Sequence, residues 1–274
     1  MTEYNKMEIA RFKQYLKERG CSENTIRSYS SAVAFFLSNY GSITSESLLK
    51  YRDYLISNLK SSTINQRINA INKFIKFEKK ESQSIQLVKI KRVTYIDNVI
   101  TNEEYELFKE CLLENKKYKL YFLVRVLAAT GMRISEALEL KVENIVAGYC
   151  DIRSKGDKER RVFIPSILTR EVISWLSQDG IFSGYLFTNR SGEKLSTSGA
   201  RYLIKYYGVK YGIIQEHLHP HAFRHRFALN FIEIDKDIST LSDLLGHESI
   251  ETTRVYLKKT SDEQKRLINQ IVIW

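Results

Sequence analysis

Apolar residues recur at helical spacing through most of residues 8–80. Ile9, Phe12, Tyr15 and Leu16 form one stripe, and Ile26, Tyr29, Val33, Phe36, Leu37 and Tyr40 form a longer one. Spacings of three and four place such residues on one face of a helix. Between the stripes, Gly20 supplies a stop, and Ser22 or Asn24 can cap the next helix. Leu48, Leu49, Leu55 and Leu59 mark a third helix. Thr63 with Gln66 fits a capping box ahead of Ile64, Ile68, Ile71 and Ile75. Residues 1–80 therefore predict a small four-helix bundle, with Arg67, Lys73 and Lys76 left on a polar face.

The pattern lapses in EKKESQSIQLVKIKRVTYID, from Glu78 to Asp97, which is polar and then basic. We assign residues 81–97 as a linker and 98–274 as a second, larger domain. Thr101 with Glu104 is another capping box. Tyr121, Leu123, Val126 and Leu127 belong to a buried helix that stops at Gly131, and a new helix starts near Ser135. The period then changes: Cys150 and Ile152 alternate before Lys155-Gly-Asp-Lys158, and Val162 and Ile164 alternate after it. That predicts a β-hairpin. Tyr185-Leu-Phe-Thr188 predicts a third strand, and helices return to the end. The fold class expected is mainly α (α+β): a helical bundle plus a mostly helical domain with a small antiparallel three-stranded sheet.

The formal net charge is +11, which favours an anionic partner, above all nucleic acid. Residues 1–90 hold 15 Lys+Arg against 8 Asp+Glu, whereas the rest holds 28 against 24. The smaller segment is thus the more basic and suits a DNA-gripping module. Cys21, Cys111 and Cys150 are far apart and form no CxxC pair, so neither a disulfide framework nor a cysteine zinc site is expected. The N-terminal residues lack the apolar core of a signal peptide, and no apolar run reaches membrane-spanning length. A cytoplasmic protein is expected.

Four segments carry candidate chemistry. In Ala128-Ala-Thr-Gly-Met-Arg-Ile-Ser-Glu136, Arg133 lies on a tight turn between two helices, where a guanidinium can fork phosphate oxygens. At the hairpin tip, Lys155 and Lys158 are candidate proton donors. In His219-Pro-His-Ala-Phe-Arg224, Pro220 suits a helix start, so His221 and Arg224 share a face of the first turn, where phosphate is favoured. In Leu244-Leu-Gly-His247…Tyr256, Tyr256 follows His247 by nine residues. Four of the five histidines lie between His217 and His225, which leaves a histidine metal site as a rival. However, HExxH is absent and no acidic residue closely follows Pro220.

In this order the four segments resemble the tyrosine recombinase (phage integrase) family, notably its compact Xer-type members, over residues 98–274. The resemblance implies a catalytic set of Arg133, Lys155, His221, Arg224, His247 and Tyr256. Glu136 matches the family's acidic residue three after the first Arg and would orient its neighbours. Tyr256 would be the nucleophile and the two arginines would neutralise the phosphate. His221 would be the base or position the attack, Lys155 would protonate the leaving 5′ oxygen, and His247 would hydrogen-bond the phosphate. No metal or other cofactor is implied. The helical N-terminal segment resembles the family's SAM-like core-binding domain in pattern. Double-stranded recombination-site DNA, accessory proteins and a tetramer on two duplexes are the implied partners, at the nucleoid. The apolar C-terminal tail would dock on a neighbouring subunit. A type IB topoisomerase, a non-catalytic DNA-binding module and a histidine-metal nuclease are the alternatives.

Overall fold

A computed structural model describes residues 2–79, 84–89, 98–153, 159–247, 249–257 and 268–272. The chain divides into two compact units, Met1–Arg92 and Val93–Trp274.

The first unit contains four helices: α1 (Glu3–Glu18), α2 (Glu23–Tyr40), α3 (Ser45–Asn58) and α4 (Ser61–Phe77). Ser22 caps α2 by accepting from the Thr25 N–H, and Thr44 caps α3 through Ser47. The apolar stripes become the core. Phe12, Leu16, Val33, Phe36, Tyr51, Leu55, Ile68 and Ile71 are fully buried, each worth about 1.5–3 kcal/mol for a side chain of this size. Leu49, by contrast, faces outward.

Two local expectations fail here. Thr63 is not a cap: the Lys60 carbonyl already accepts the Thr63 and Ile64 N–H groups, so α4 begins at Ser61. Gln66 instead donates to Ser28 Oγ at 2.9 Å. Arg67 is not left on a polar face either. It is half-buried, with its guanidinium drawn over the Phe35 ring, 5.4 Å from the centroid. Lys73 is half-buried and Lys76 is exposed. Residues 84–89, within the stretch read as a linker, are strapped to α4. Asn65 bonds both backbone groups of Val88, and Asn72 both of Ile85, at 2.8–2.9 Å.

The second unit is mostly helical. It runs α5 (Asn102–Glu114), α6 (Tyr118–Thr130), α7 (Ile134–Ala137), α8 (Val142–Ala147), β1 (Tyr149–Arg153), β2 (Glu159–Phe163) and α9 (Ser166–Gln178). Then follow α10 (Thr197–Lys210), α11 (Pro220–Ile234), α12 (Ile238–Leu245), α13 (Ile250–Thr253) and a 3-10 turn, Arg254–Leu257. The capping box at Thr101 and Glu104 forms as expected. Helix α6 is central: Val124, Val126 and Leu127 are fully buried, and α11 packs along it.

The sheet is smaller than expected. Strands β1 and β2 pair antiparallel from Tyr149↔Phe163 to Arg153↔Glu159. Among the described residues no third strand joins them. Residues 185–188 make isolated bridges, Lys141↔Tyr185 and Thr188↔Lys194. The consecutive Leu186 and Phe187 are both buried, which an alternating strand does not allow. The hairpin tip, with Lys155 and Lys158, lies outside the described residues. No described helix is long and apolar enough to cross a membrane.

Gly131 ends α6 in the left-handed region (φ 64), and a Cβ there would strike Phe227 and Leu245. Gly180 has a similar φ of 66 but open space around it. Gly180→Ala should therefore cost about 1–2 kcal/mol for the backbone alone. Gly131→Ala should add about 1–3 kcal/mol of overpacking. Denaturant unfolding measures both, and equal losses would contradict the packing argument.

Candidate active site

Helix ends meet around Arg224. Its buried guanidinium donates from Nη1 to the Gly131 carbonyl at 2.7 Å and from Nη2 to the Leu245 carbonyl at 2.8 Å. These carbonyls stand at the C-termini of α6 and α12, where helices leave acceptors unpaired and carry partial negative charge. A cation held there is fixed in place and keeps donors to spare. Burial, with Arg133 next in effect, lowers the Arg224 pKa to about 10, so it stays charged at neutral pH.

Arg133 occupies the turn between α6 and α7. It donates to Gly246 O at 3.2 Å, the carbonyl next along from the one Arg224 uses. Its other nitrogen reaches Glu136 Oε1 at 2.9 Å, and its backbone N–H donates to Glu136 Oε2 at 2.7 Å. Glu136 also receives Arg160 from β2, at 2.8 Å to Oε2. Burial pushes the Glu136 pKa up, but the Arg133 N–H and the Arg160 and Arg133 guanidinia together hold it below the usual carboxylate range. Among the described residues, one carboxylate thus pairs with two guanidinia, with that of Arg224 close by, which leaves an excess of positive charge.

The expected residues fall as follows. Arg133, Glu136, Arg224 and His247 come together. His247 follows α12, and its Nδ1 lies 2.8 Å from the Thr253 hydroxyl. Burial, then Arg224, Arg133 and Arg160, depress its pKa to about 4. His221 stands at the open edge, on the first turn of α11. Partial burial and then Arg224 hold its pKa below the ordinary histidine value. Tyr256 is inside the site, 5% exposed, with its phenol 2.7 Å from His225 Nδ1. Burial raises its pKa to about 12, while Arg224 draws it back down. Lys155 lies outside the described residues.

The histidines do not converge as metal ligands. His217 pairs with Glu104 at 2.7 Å, His219 accepts from the Ala222 N–H to cap α11, and His225 meets Tyr256. Among the described residues no group of three or more His, Cys, Asp or Glu is placed to hold a metal ion.

The profile of the phage integrase family matches residues 98–263, and that of the phage integrase N-terminal SAM-like domain matches residues 9–82. The chain belongs to the phage integrase family. Among its relatives, this integrase-family chain is 32% identical to "Tyrosine recombinase XerA" of Pyrococcus furiosus, over 96% of this chain and 93% of that protein. It is 30% identical to "TnP I resolvase" of Bacillus thuringiensis, over 97% and 99%. Its fold is shared with XerH site-specific recombinase solved on its difH substrate. The TM-score there is 0.69, at 21% identity, over 97% of this chain and 84% of that one.

Two contributors in this integrase-family site escape the motif reading. Arg160 shares strand parity with the buried Val162, and that alternation is the signal that places it inward. It also crowds Gly246, where a Cβ would collide with its guanidinium. His225 lies one helical turn after His221 and beside Arg224.

Arg160→Met should cost about 3–5 kcal/mol, because Glu136 would stay buried and lose a partner. Adding Glu136→Gln should recover part of that loss in chemical denaturation, and a purely additive double variant would contradict the pairing. A pH dependence follows from the histidines. Folded, His225 and His247 stay neutral down to about 4. Unfolded, they protonate near 6.5. The unfolded state therefore takes up protons first as pH falls, and stability drains away between about 6.5 and 4. Melting temperatures should fall over that window, less steeply in a His225→Asn/His247→Asn variant. An unchanged slope would contradict the assignment.

Proposed function

We propose that the protein is a site-specific recombinase that cuts and rejoins DNA through a 3′-phosphotyrosine link at Tyr256. The observation that carries this is one site in which Arg224, fixed with Arg133 on adjacent carbonyls, acts on the Tyr256 phenol. A phosphodiester is an anion that repels nucleophiles. Two fixed guanidinia offset the charge that grows on its non-bridging oxygens, with no reorganisation during reaction. Tyr256 attacks phosphorus. His221, at the open edge, positions the attack, and His247 hydrogen-bonds the phosphate. Lys155 protonates the leaving 5′ oxygen. Glu136 keeps Arg133 and Arg160 in register. The phosphoester bond is retained in the adduct, so resealing needs neither metal nor nucleotide. A 5′ hydroxyl from a second duplex can attack in place of the original one, and that exchange is recombination.

The substrate is a double-stranded recombination site. The basic first unit grips the duplex, with Lys73 and Lys76 near phosphates and Arg67 acting from its partly buried position. The working assembly is a tetramer on two duplexes. The helical turn at 268–271 supports docking of the tail on a neighbouring subunit, because Ile268, Ile271 and Val272 are exposed. Accessory proteins would choose among integration, excision and dimer resolution. The work would take place in the cytoplasm, on the nucleoid.

Nicked suicide duplexes spanning the genomic DNA beside the gene should trap a covalent adduct. Tyr256→Phe should abolish the adduct and keep DNA binding, and an adduct in that variant would overturn the reading. Lys155→Ala should slow cleavage by about 10²–10⁴, as loss of a general acid does. Lys158→Ala should slow it far less, and the reverse order would move the acid to Lys158.

A further inference from the structure

Tyr256 has one hydrogen-bond partner among the described residues, and it is not one of the six motif residues. His225 Nδ1 lies 2.7 Å from the Tyr256 oxygen, with ring centroids 5.6 Å apart. His225 sits one turn along α11 from His221, its ring 6.3 Å from that ring. None of the other described neighbours bonds the phenol. Arg224 has no lone pair to offer. His247 has its Nδ1 engaged by Thr253, and His221 stands at the open edge with no bond to the phenol.

We propose that His225 is a catalytic residue: it holds the Tyr256 phenol in the resting protein, takes its proton as Tyr256 attacks phosphorus, and returns it on resealing. This rests on the recombinase reading above. In the forward step the Tyr256 O–H bond breaks and an O–P bond forms, while the phenol proton passes to His225 Nδ1. The P–O5′ bond breaks, and the 5′ oxygen takes a proton from the Lys155 ammonium. In resealing a 5′ hydroxyl attacks phosphorus and gives its proton back to Lys155. The Tyr256 oxygen leaves and recovers its proton from His225. No oxidant, reductant or cofactor enters the balance.

The surroundings suit an acceptor that waits for substrate. Burial, then His221, His219 and Arg224, lower the His225 pKa to about 4, so the ring is neutral at physiological pH. With Nδ1 facing the phenol hydrogen, the ring proton sits on Nε2. Burial pushes Tyr256 up to about 12, so the phenol keeps its proton until DNA arrives. The groups around His225 are Arg224 and His221 on α11, His219 before it, His247 after α12, and Tyr256 itself. A phosphate bound beside Arg224 offsets the nearest cation. His225 then gains proton affinity only when a scissile phosphate is in place.

The test compares wild type, His225→Asn and Tyr256→Phe on the duplex that yields the adduct, from pH 7 to 9. Asn keeps an acceptor for the phenol but cannot carry its proton. At pH 7, His225→Asn should form adduct about 100-fold or more slowly, the scale of general-base loss. The deficit should shrink about tenfold per pH unit, because the phenolate population grows tenfold per unit below its pKa. A deficit constant with pH, or none at pH 7, would overturn the proton-transfer role. A second arm needs no DNA. In protein labelled with ¹³Cζ-tyrosine, the Tyr256 signal, assigned with Tyr256→Phe, should shift in His225→Ala. An unmoved signal would overturn the contact itself. A shifted signal with no adduct from wild type would instead overturn the recombinase reading, and the proton transfer with it.

Discussion

The bond pair from Arg224 to the carbonyls of Gly131 and Leu245 organises the catalytic unit. A buried guanidinium is costly unless its donors are matched. Here the match comes from backbone acceptors that two helices leave unpaired at their ends. Meeting that need fixes where α6 and α12 end relative to the start of α11. It also explains why α6 stops at a glycine: Phe227 and Leu245 leave no room for a Cβ. Arg133 takes the next carbonyl, that of Gly246, so the same helix end serves both arginines.

Among the described residues, three guanidinia and one carboxylate leave an excess of positive charge. The histidines respond by staying neutral, and the tyrosine stays protonated because it is buried. The site is therefore built for an anion it does not itself contain. A DNA phosphate would supply opposite charge and relieve the repulsion that adds to burial in holding the histidines uncharged. Binding and activation of the nucleophile would then be one electrostatic event.

Much of this was legible in the sequence, for identifiable reasons. Helical periodicity located the four bundle helices and α6, because a buried face repeats every three or four residues. The family resemblance carried by the four motifs implied one site for Arg133, Glu136, Arg224, His247 and Tyr256, and the structure brings these residues together. What failed was local propensity overruled by a neighbour. Thr63 lost its capping role to the Lys60 carbonyl, and Arg67 lies half-buried over the Phe35 ring. Residues 185–188 have strand-like composition but bury consecutive side chains, so they bridge singly. Strand alternation points Arg160 inward, but its partner Glu136, and the His225 contact with Tyr256, are long-range contacts that no spacing rule reports.

The central claim is that Arg133 and Arg224 close on a single scissile phosphate in front of Tyr256. The most direct test is a structure of the Tyr256→Phe protein on its recombination site. Nitrogens of both guanidinia should lie about 2.7–2.9 Å from non-bridging oxygens of the same phosphate, the range for charge-assisted bonds. A phosphate engaged by only one of them, or one that passes outside the Arg133–Arg224 pair, would contradict the account.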